Sequence, residues 1–258
     1  MSTDFSTVTE LSGDDVTQEQ VARLAHRYRW AGEYCRNKDV LEVACGPGQG
    51  LGYLASIARS LSGGDITPTL VSMAKEHYRD RVDVEVMNAE RLPFPDVSLD
   101  VVILFEAIYY LPSPEKFVAE CKRVLRPGGM VLIVTANKDL YDFNPSPFSQ
   151  RYLGVVELGD LFGAHGFVCG FFGHMQVTEA SLRQRALRPV KALVARSGLM
   201  PKTMAGKKFL KRLVFGSMIR MPAEIDPNGM DYQPPEALPL DQPDRRFKVI
   251  YLAARREA

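Results

Sequence analysis

A glycine-rich turn follows the first strongly apolar run of the sequence. Residues 40–50 read Val-Leu-Glu-Val-Ala-Cys-Gly-Pro-Gly-Gln-Gly. Glycines directly after a buried strand allow a tight turn, so a ligand can lie close to the backbone there. A helix that begins just beyond the turn would offer unpaired N–H groups to the same ligand. The sequence therefore predicts a ligand site at the end of this strand.

The fingerprint of dinucleotide-binding folds does not fit this turn. It requires glycine or alanine at the sixth position, and the sixth residue counted from Gly46 is Leu51. Residues 50–55 match the fingerprint formally, but they begin about six residues past the predicted strand and run into the predicted helix. A nicotinamide dehydrogenase is therefore disfavoured, although it stays open as an alternative.

Two candidate catalytic residues follow the apolar run 99–105, the fourth predicted strand. Glu106 and Tyr109 could contact a substrate there, and a carboxylate could serve as general base for a hydroxyl group. Both could instead have structural roles at the rim of the site. His165 and His174 are further candidates for a base, although a lone histidine is more often structural. Neither the acidic residues nor the four cysteines show metal-ligand spacing, so we expect no metal.

Strand and helix patterns alternate through the first two thirds of the chain. Apolar runs predict strands at 39–44, 82–87, 99–105, 130–135, 167–172 and 247–253, with a short strand ending near 65–66. Helices are predicted at 52–61, 69–78, 114–124 and 156–164. Such alternation is typical of an open, mostly parallel α/β sheet with helices on both faces.

Composition excludes several classes of protein. Apolar residues make up 46% and charged residues 24% of the 258 residues, with a net charge of +1. These values fit a globular protein and argue against a disordered chain or a dedicated nucleic-acid binder. The longest nearly apolar run, residues 101–111, is far shorter than a membrane-spanning helix. No secretory signal opens the sequence, so we expect a cytoplasmic protein.

The glycine turn and four further motifs resemble those of the class I S-adenosylmethionine (SAM) dependent methyltransferases. The turn, Glu42-x-Ala44-Cys45-Gly46-x-Gly48, is similar to their first motif, although Ala44 replaces the usual first glycine. The other matching segments are Gly64–Pro68, Asn88–Phe94, Leu99–Val102 and Arg123–Gly129. The resemblance covers roughly residues 25–175 and implies SAM as cofactor, with S-adenosylhomocysteine as product. It also implies a Rossmann-like, doubly wound seven-stranded sheet, mostly parallel with an antiparallel last strand.

The resemblance assigns roles around the cofactor. Asp65 would accept hydrogen bonds from the ribose hydroxyls, and Glu42 would orient the ammonium group directly or through water. Asn88, where the family often has Asp, would read the adenine edge with the backbone of Ala89. Arg27 or Tyr28 would meet the methionine carboxylate. Each residue has a structural alternative, such as a helix N-terminal charge for Asp65. The implied cofactor-binding set is Tyr28, Glu42, Ala44, Gly46, Gly48, Asp65, Ile66, Asn88, Ala89, Glu90 and Phe105.

The expected reaction is O-methylation of a small molecule, or of a sugar in a glycan or lipid-linked glycan. Methyl transfer gains mainly from positioning the acceptor and excluding water. The aromatic and proline-rich segment Phe143–Phe148 is expected to border the acceptor pocket. The alternative is a non-catalytic Rossmann-like module that binds an anionic membrane or partner.

A strongly basic stretch precedes the last predicted strand. Residues 181–220 contain eleven Lys and Arg and no acidic residue, interleaved with apolar residues. This pattern predicts amphipathic helices whose basic face either attracts an anionic acceptor or lipid surface, or is only solvated. We expect one methyltransferase domain in four parts: an N-terminal helical cap (1–35), a SAM-binding core (36–175), a basic helical insertion or lid (176–245), and the last strand with its tail (246–258). The sequence leaves the oligomeric state open.

Overall fold

The chain folds around one large twisted sheet. The computed structural model describes residues 4–141, 143–177, 218–229 and 231–257. Its helices are Gln18–Cys35 (α1), Leu51–Ile57 (α2), Pro68–Tyr78 (α3), Pro114–Val124 (α4) and Val155–Ala164 (α5). Its strands are Asp15–Thr17 (β1), Asp39–Val43 (β2), Ser60–Asp65 (β3), Asp83–Val86 (β4), Leu99–Phe105 (β5), Leu125–Ala136 (β6), Phe167–Gln176 (β7), Met218–Arg220 (β8), Glu236–Leu238 (β9) and Phe247–Arg256 (β10).

The main sheet has the order β4-β3-β2-β5-β6-β10-β7-β9. Strands β4, β3, β2, β5 and β6 are parallel, whereas β10 runs antiparallel to both β6 and β7. The expected Rossmann-like, mostly parallel α/β sheet with an antiparallel last strand is therefore confirmed. The predicted number of strands is corrected, since eight of the described strands join this sheet rather than seven. The added strand, β9, has only three residues, too few to show a hydrophobic period.

Both faces of the sheet are covered by apolar side chains. Along β5, Val102 and Leu104 pack with α4 and α5, while Val101 and Ile103 pack with α1 and α2. Successive side chains of a strand point to opposite faces, which explains why the run 99–105 is almost continuously apolar. This double burial fixes the strand ends at which the site is built.

Several element boundaries differ from the sequence prediction, and two of them concern glycine-rich or turn-like sequence. The predicted helix 52–61 ends at Ile57, because Leu61 belongs to β3 and pairs with Val40. Strand β6 begins at Leu125, five residues before the predicted strand, and includes Gly128 and Gly129. Gly128 has a φ of 78°, and the pairing of β5 with β6 shifts register between Leu99 and Val101. A bulge of this kind lets a strand continue through a sequence that resembles a turn.

The described part of the basic insertion contains no α-helix, and its one short helical turn is the 3-10 helix Pro227–Gly229. Strand β8 pairs antiparallel with β1 near the N-terminus, and β9 adds to the edge of the main sheet at β7. The predicted helical lid and most of the eleven basic residues fall at 178–217, outside the described residues. Among the described residues, none of the helices has the length and apolar character needed to cross a membrane.

Candidate functional site

The site forms where the parallel strands end. Strand β2 lies between β3 and β5, and the chain crosses from one side of β2 to the other. In open α/β sheets a crevice forms outside the carboxyl ends of the strands at such a point. The residues predicted from the glycine turn and from the ends of β3, β4 and β5 therefore come to one edge of the sheet.

The glycine turn has the backbone conformation that its sequence predicts. Ala44 and Gly46 have φ angles of 58° and 59°, in the left-handed region. The N–H of Gly46 donates to Oδ2 of Asp65 at 3.0 Å, and the N–H of Cys45 donates to the carbonyl of Gly64 at 3.0 Å. The turn is thereby attached to the end of β3. Ala44 thus adopts a backbone conformation that favours glycine, at the position where the first motif usually has glycine.

Gly48 faces away from the ligand crevice. Its φ is 86°, and a Cβ atom there would lie 3.0 Å from the side chains of Leu51 and Tyr78. The hydroxyl of Tyr78 donates to the Gly48 carbonyl at 2.6 Å. The contact of Gly48 with the cofactor stays a prediction, and in the structure this glycine permits close packing of the turn against α3.

Glu42 presents an unpaired carboxylate oxygen. The residue is 1% exposed, and its Oε1 accepts a hydrogen bond from the Tyr28 hydroxyl at 2.5 Å. Its Oε2 is buried without a hydrogen-bond partner in the part of the chain that the structure describes. Burial raises the pKa of Glu42 to about 7, against the lowering effects of the Tyr28 hydrogen bond and the Arg27 charge. An unpaired buried oxygen of this kind suits a cationic ligand group.

Asp65 is buried at the end of β3. Its Oδ1 accepts from the Thr67 N–H at 2.8 Å, in addition to the Gly46 contact. Burial raises the pKa of Asp65, and these backbone hydrogen bonds oppose that shift. Each carboxylate oxygen can accept more than one hydrogen bond, so both keep capacity for hydroxyl donors.

The loop after β4 contributes polar groups to the same edge. The side-chain oxygen of Asn88 accepts from the Glu90 N–H at 2.8 Å, which forms a local turn. Oε1 of Glu90 accepts from the Ser113 N–H at 2.5 Å. The Asn88 amide oxygen is thus already bonded within the loop, and an adenine contact would share it.

One cavity of about 680 Å³ joins these groups. Its volume falls within the range of small-molecule and cofactor sites. Of the predicted site residues, all except Gly48 line it: Tyr28, Glu42, Ala44, Gly46, Asp65, Ile66, Asn88, Ala89, Glu90, Phe105, Glu106 and Tyr109. The structure therefore brings together residues that lie as far apart in the sequence as positions 28 and 109, while their contacts to a ligand stay predictions.

Glu106 lines this cavity and directly follows β5. Its φ is 51°, and its N–H donates to the Val134 carbonyl at 2.7 Å. Oε2 accepts from the Tyr109 hydroxyl at 3.2 Å, and Oε1 lies 3.8 Å from Nη1 of Arg27. Two neighbours thus orient the carboxylate. Tyr109 in turn stacks on Tyr152, with ring centroids 4.2 Å apart.

Charged residues of both signs line the cavity. Glu42, Asp65 and Glu90, on β2 and β3 and after β4, are called the acidic side; Arg23 and Arg27 on α1 and Lys248 on β10 are called the basic side. Glu10 and Glu106 also line the cavity. Nε of Arg27 is buried without a hydrogen-bond partner among the residues described. Sequence analysis missed Arg23 and Lys248. The four-residue spacing of Arg23 and Arg27 on a predicted helix is the sequence signal that could have placed Arg23 on the same face as Arg27.

The N-terminal segment also lines the cavity, which the sequence did not predict. Phe5, Val8, Thr9 and Glu10 all contribute to its wall. The carbonyl of Glu10 accepts from Nε2 of Gln49 at 2.7 Å. No local motif in these residues points to a ligand, so only the tertiary structure shows this contribution.

Other candidates lie at or beyond the rim. From the segment Phe143–Phe148, Phe148 reaches the cavity, as expected of a border to the acceptor pocket. His165 and His174 do not line it. Nδ1 of His165 lies 2.8 Å from the Leu161 carbonyl oxygen, and the ring of His174 stacks on that of His26 with centroids 3.5 Å apart. Both histidines are therefore corrected as candidates for a base. Across the described ranges, no group of three or more His, Cys, Asp or Glu is placed to hold a metal ion.

The donors and acceptors of this cavity fit SAM. Among the described residues that line the cavity, Oε2 of Glu42 and Nε of Arg27 are buried without a hydrogen-bond partner, and they complement an ammonium and a carboxylate. Asp65 lies at the end of the neighbouring strand, where a ribose diol would need an acceptor. The fold and these groups together define a SAM-binding α/β domain.

Comparison with known proteins agrees with this class. Residues 41–133 match the profile of the methyltransferase domain family. A probable SAM-dependent methyltransferase from Mycolicibacterium smegmatis is 40% identical over 149 residues, which cover 56% of this chain and 55% of that protein. The phthiotriol/phenolphthiotriol dimycocerosates methyltransferase of Mycobacterium tuberculosis is 42% identical over 95 residues, or 36% of this chain and 35% of the relative. The chain thus spans about half, or less, of the length of these relatives.

A solved structure supports the fold. The SAM-dependent methyltransferase of Thermotoga maritima superimposes with a TM-score of 0.59 at 16% identity, and the match covers 92% of each chain. The core of this chain is thus similar in sequence to SAM-dependent methyltransferases, and the chain shares their fold.

Proposed function

We propose that the protein transfers the methyl group of SAM to a hydroxyl group of a small molecule, or of a sugar in a glycan or lipid-linked glycan. The observation that carries this proposal is the position of Glu106 in the same cavity as Glu42 and Asp65. A carboxylate that is oriented by two neighbours and lines a cavity that fits SAM suits the deprotonation of an acceptor hydroxyl.

Residues of the acidic side would hold the cofactor, which supplies an electrophilic methyl group when bound. Glu42 would accept a hydrogen bond from the ammonium group and Asp65 would accept hydrogen bonds from the ribose hydroxyls. Asn88 and the backbone of Ala89 would contact the adenine. Gly46 lets the ligand approach the turn, since no Cβ projects from it.

Glu106 would act on the acceptor. Its carboxylate accepts the hydroxyl proton as the oxygen attacks, while Tyr109 and Arg27 keep it in place. The N-terminal residues Phe5 and Thr9 narrow access of water to the cavity. The relative named for phthiotriol and phenolphthiotriol dimycocerosates supports the inclusion of lipid-linked hydroxyls among the acceptors to be tested.

The proposal is tested with calorimetry and a labelled-methyl assay. Asp65→Ala should weaken SAM binding by roughly 1.5–3 kcal/mol, because it removes hydrogen bonds to a charged group. Glu106→Gln should bind SAM as the wild type does but should lower kcat by about 10²–10⁴, the usual contribution of a general base. The acceptor panel contains free sugars, lipid-linked sugars and long-chain alcohols.

Analysis of the methylated product identifies the acceptor atom. An O-methyl product lost in Glu106→Gln supports the proposal. Full turnover by this variant, or methylation only of nitrogen or carbon, contradicts it. Unchanged SAM affinity in folded Asp65→Ala removes Asp65 from the cofactor site.

A further inference from the structure

Arg23 and Lys248 are two cations that line the cavity. Arg23 lies on α1 one turn before Arg27, so their side chains share a helix face. Lys248 is the second residue of β10, and its carbonyl accepts from the Asn137 N–H at 3.0 Å just after β6 ends. The side-chain amide of Asn137 donates to the Phe247 carbonyl at 2.8 Å, which holds the start of β10 in place. Both cations are therefore carried by well-anchored backbone.

Neither of these cations is paired with an acid in the part of the chain that the structure describes. Among the described residues, Arg23 and Lys248 form no ion pair, whereas Arg59, Arg123 and Arg126 each contact at least one carboxylate. The positive charge of Arg23 acts on the groups around it. Burial, together with the neighbouring His26 and Arg23, lowers the pKa of His174 to about 4, so the stacked histidine stays neutral beside it. Uncompensated cations that line a cavity attract an anionic ligand.

The sheet order separates Lys248 from the group that would hold the methionine end of SAM. From β2, which carries Glu42, to β10, which carries Lys248, there are three strand steps. Adjacent strands are about 4.8 Å apart, which places the two strands roughly 14 Å from each other. The ammonium and carboxylate of methionine share one carbon atom, so a carboxylate beside Glu42 is within reach of Arg27 but is remote from Lys248. The remaining cations are left for the acceptor.

We propose that the acceptor carries an anionic oxygen group, a carboxylate or a phosphate, and that Arg23 and Lys248 bind it. This inference rests on the proposed function, because it assigns the other part of the same cavity to the acceptor. The acidic side repels such a group and the basic side attracts it. The acceptor is thereby oriented with its anion beside Arg23 and Lys248 and its hydroxyl toward Glu106. The Glu106 carboxylate lies beside Arg27, which is one helical turn from Arg23.

The test compares matched anionic and neutral probes on protein saturated with S-adenosylhomocysteine. The first pair is 3-hydroxydecanoate and its methyl ester, and the second is glucose 1-phosphate and glucose. Calorimetry should show that the anionic member of at least one pair binds about tenfold or more tightly than its neutral analogue, and the pair that does so distinguishes carboxylate from phosphate. Arg23→Gln combined with Lys248→Gln should abolish that preference. Lys38→Gln, an exposed cation at the opposite edge of the sheet, is the control and should retain it.

Several outcomes overturn the proposal. It is wrong if no anionic probe is preferred by the wild type, or if the double variant keeps the preference. It is also wrong if the double variant loses S-adenosylhomocysteine affinity as strongly as probe affinity, because the cations would then serve the cofactor. Failure of the proposed function is separate, since it appears as an absence of cofactor binding or of O-methyl product in the wild type.

Discussion

Burial and ligand binding change the pKa of the Glu42 carboxyl group in opposite directions. Burial raises its pKa to about 7 from an ordinary value near 4.5. Between these two values the folded protein holds more protons than the unfolded chain, so this group makes the free protein less stable as the pH rises through that window. A cationic ligand group beside Oε2 favours the ionised carboxylate. Cofactor affinity should therefore increase over the same range.

Substitution of Glu42 tests this coupling. We expect the affinity of wild-type protein for S-adenosylhomocysteine, measured by calorimetry, to rise between about pH 5.5 and about pH 7.5. Glu42→Gln should bind more weakly at the upper pH and should lose most of that rise, because its amide does not ionise. Glu76→Gln, an exposed site outside the cavity, should keep the wild-type slope. Identical pH profiles for the wild type and Glu42→Gln would contradict this assignment.

At the scale of elements, α3 shapes the glycine turn from the side remote from the ligand. The hydroxyl of Tyr78, at the end of α3, donates to the Gly48 carbonyl at 2.6 Å and accepts from the Gly52 N–H at 3.0 Å. One side chain thus joins the turn to the first residues of α2. The ring of Tyr78 also occupies the space that a Cβ at Gly48 would enter. Packing of α3 therefore holds the turn in the form that faces the cavity.

Tyr78→Phe removes both hydrogen bonds and keeps the ring. Because the Gly48 carbonyl and the Gly52 N–H lose their partner, the free energy of unfolding should fall by about 1–3 kcal/mol. Denaturant unfolding measures this change, and calorimetry should show weaker cofactor binding. Tyr53→Phe, which removes a hydroxyl that makes no hydrogen bond with the described residues, is the control and should change stability little. A Tyr78→Phe protein as stable as the wild type would show that the turn does not depend on this contact.

At the scale of the whole molecule, segments from both ends of the chain complete the cavity. Strand β1 pairs with β8, and the N–H of Gly13 donates to the Met221 carbonyl at 2.8 Å. Beyond this anchor, the Phe5 ring lies 5.0 Å from that of Tyr110, and Thr9 lies over Gly46. The N-terminal segment therefore covers a site that is built mainly from residues 42–110.

A variant that lacks residues 1–9 tests the importance of this cover. It keeps β1 and the Glu10 carbonyl, so its melting temperature should stay close to that of the wild type. S-adenosylhomocysteine should dissociate about tenfold or more faster, because changes at a binding surface act mostly on the dissociation rate. Stopped-flow displacement measures that rate. An unchanged rate would mean that the segment does not retain the cofactor.

Local patterns in the sequence determined the elements and the centre of the site. The run 99–105 and the helix 114–124 were predicted at the bounds that the structure shows, because each is long enough to display its period. The glycine turn, Asp65 and Glu106 follow strand ends, and parallel strands bring their carboxyl ends to one edge. Only the tertiary structure decided which way Gly48 faces, because its surroundings come from α3. It also decided the three-residue pairing of β1 with β8 and the convergence of Phe5, Arg23 and Lys248 on the cavity. These depend on contacts between distant segments, which leave no periodic signal in the sequence.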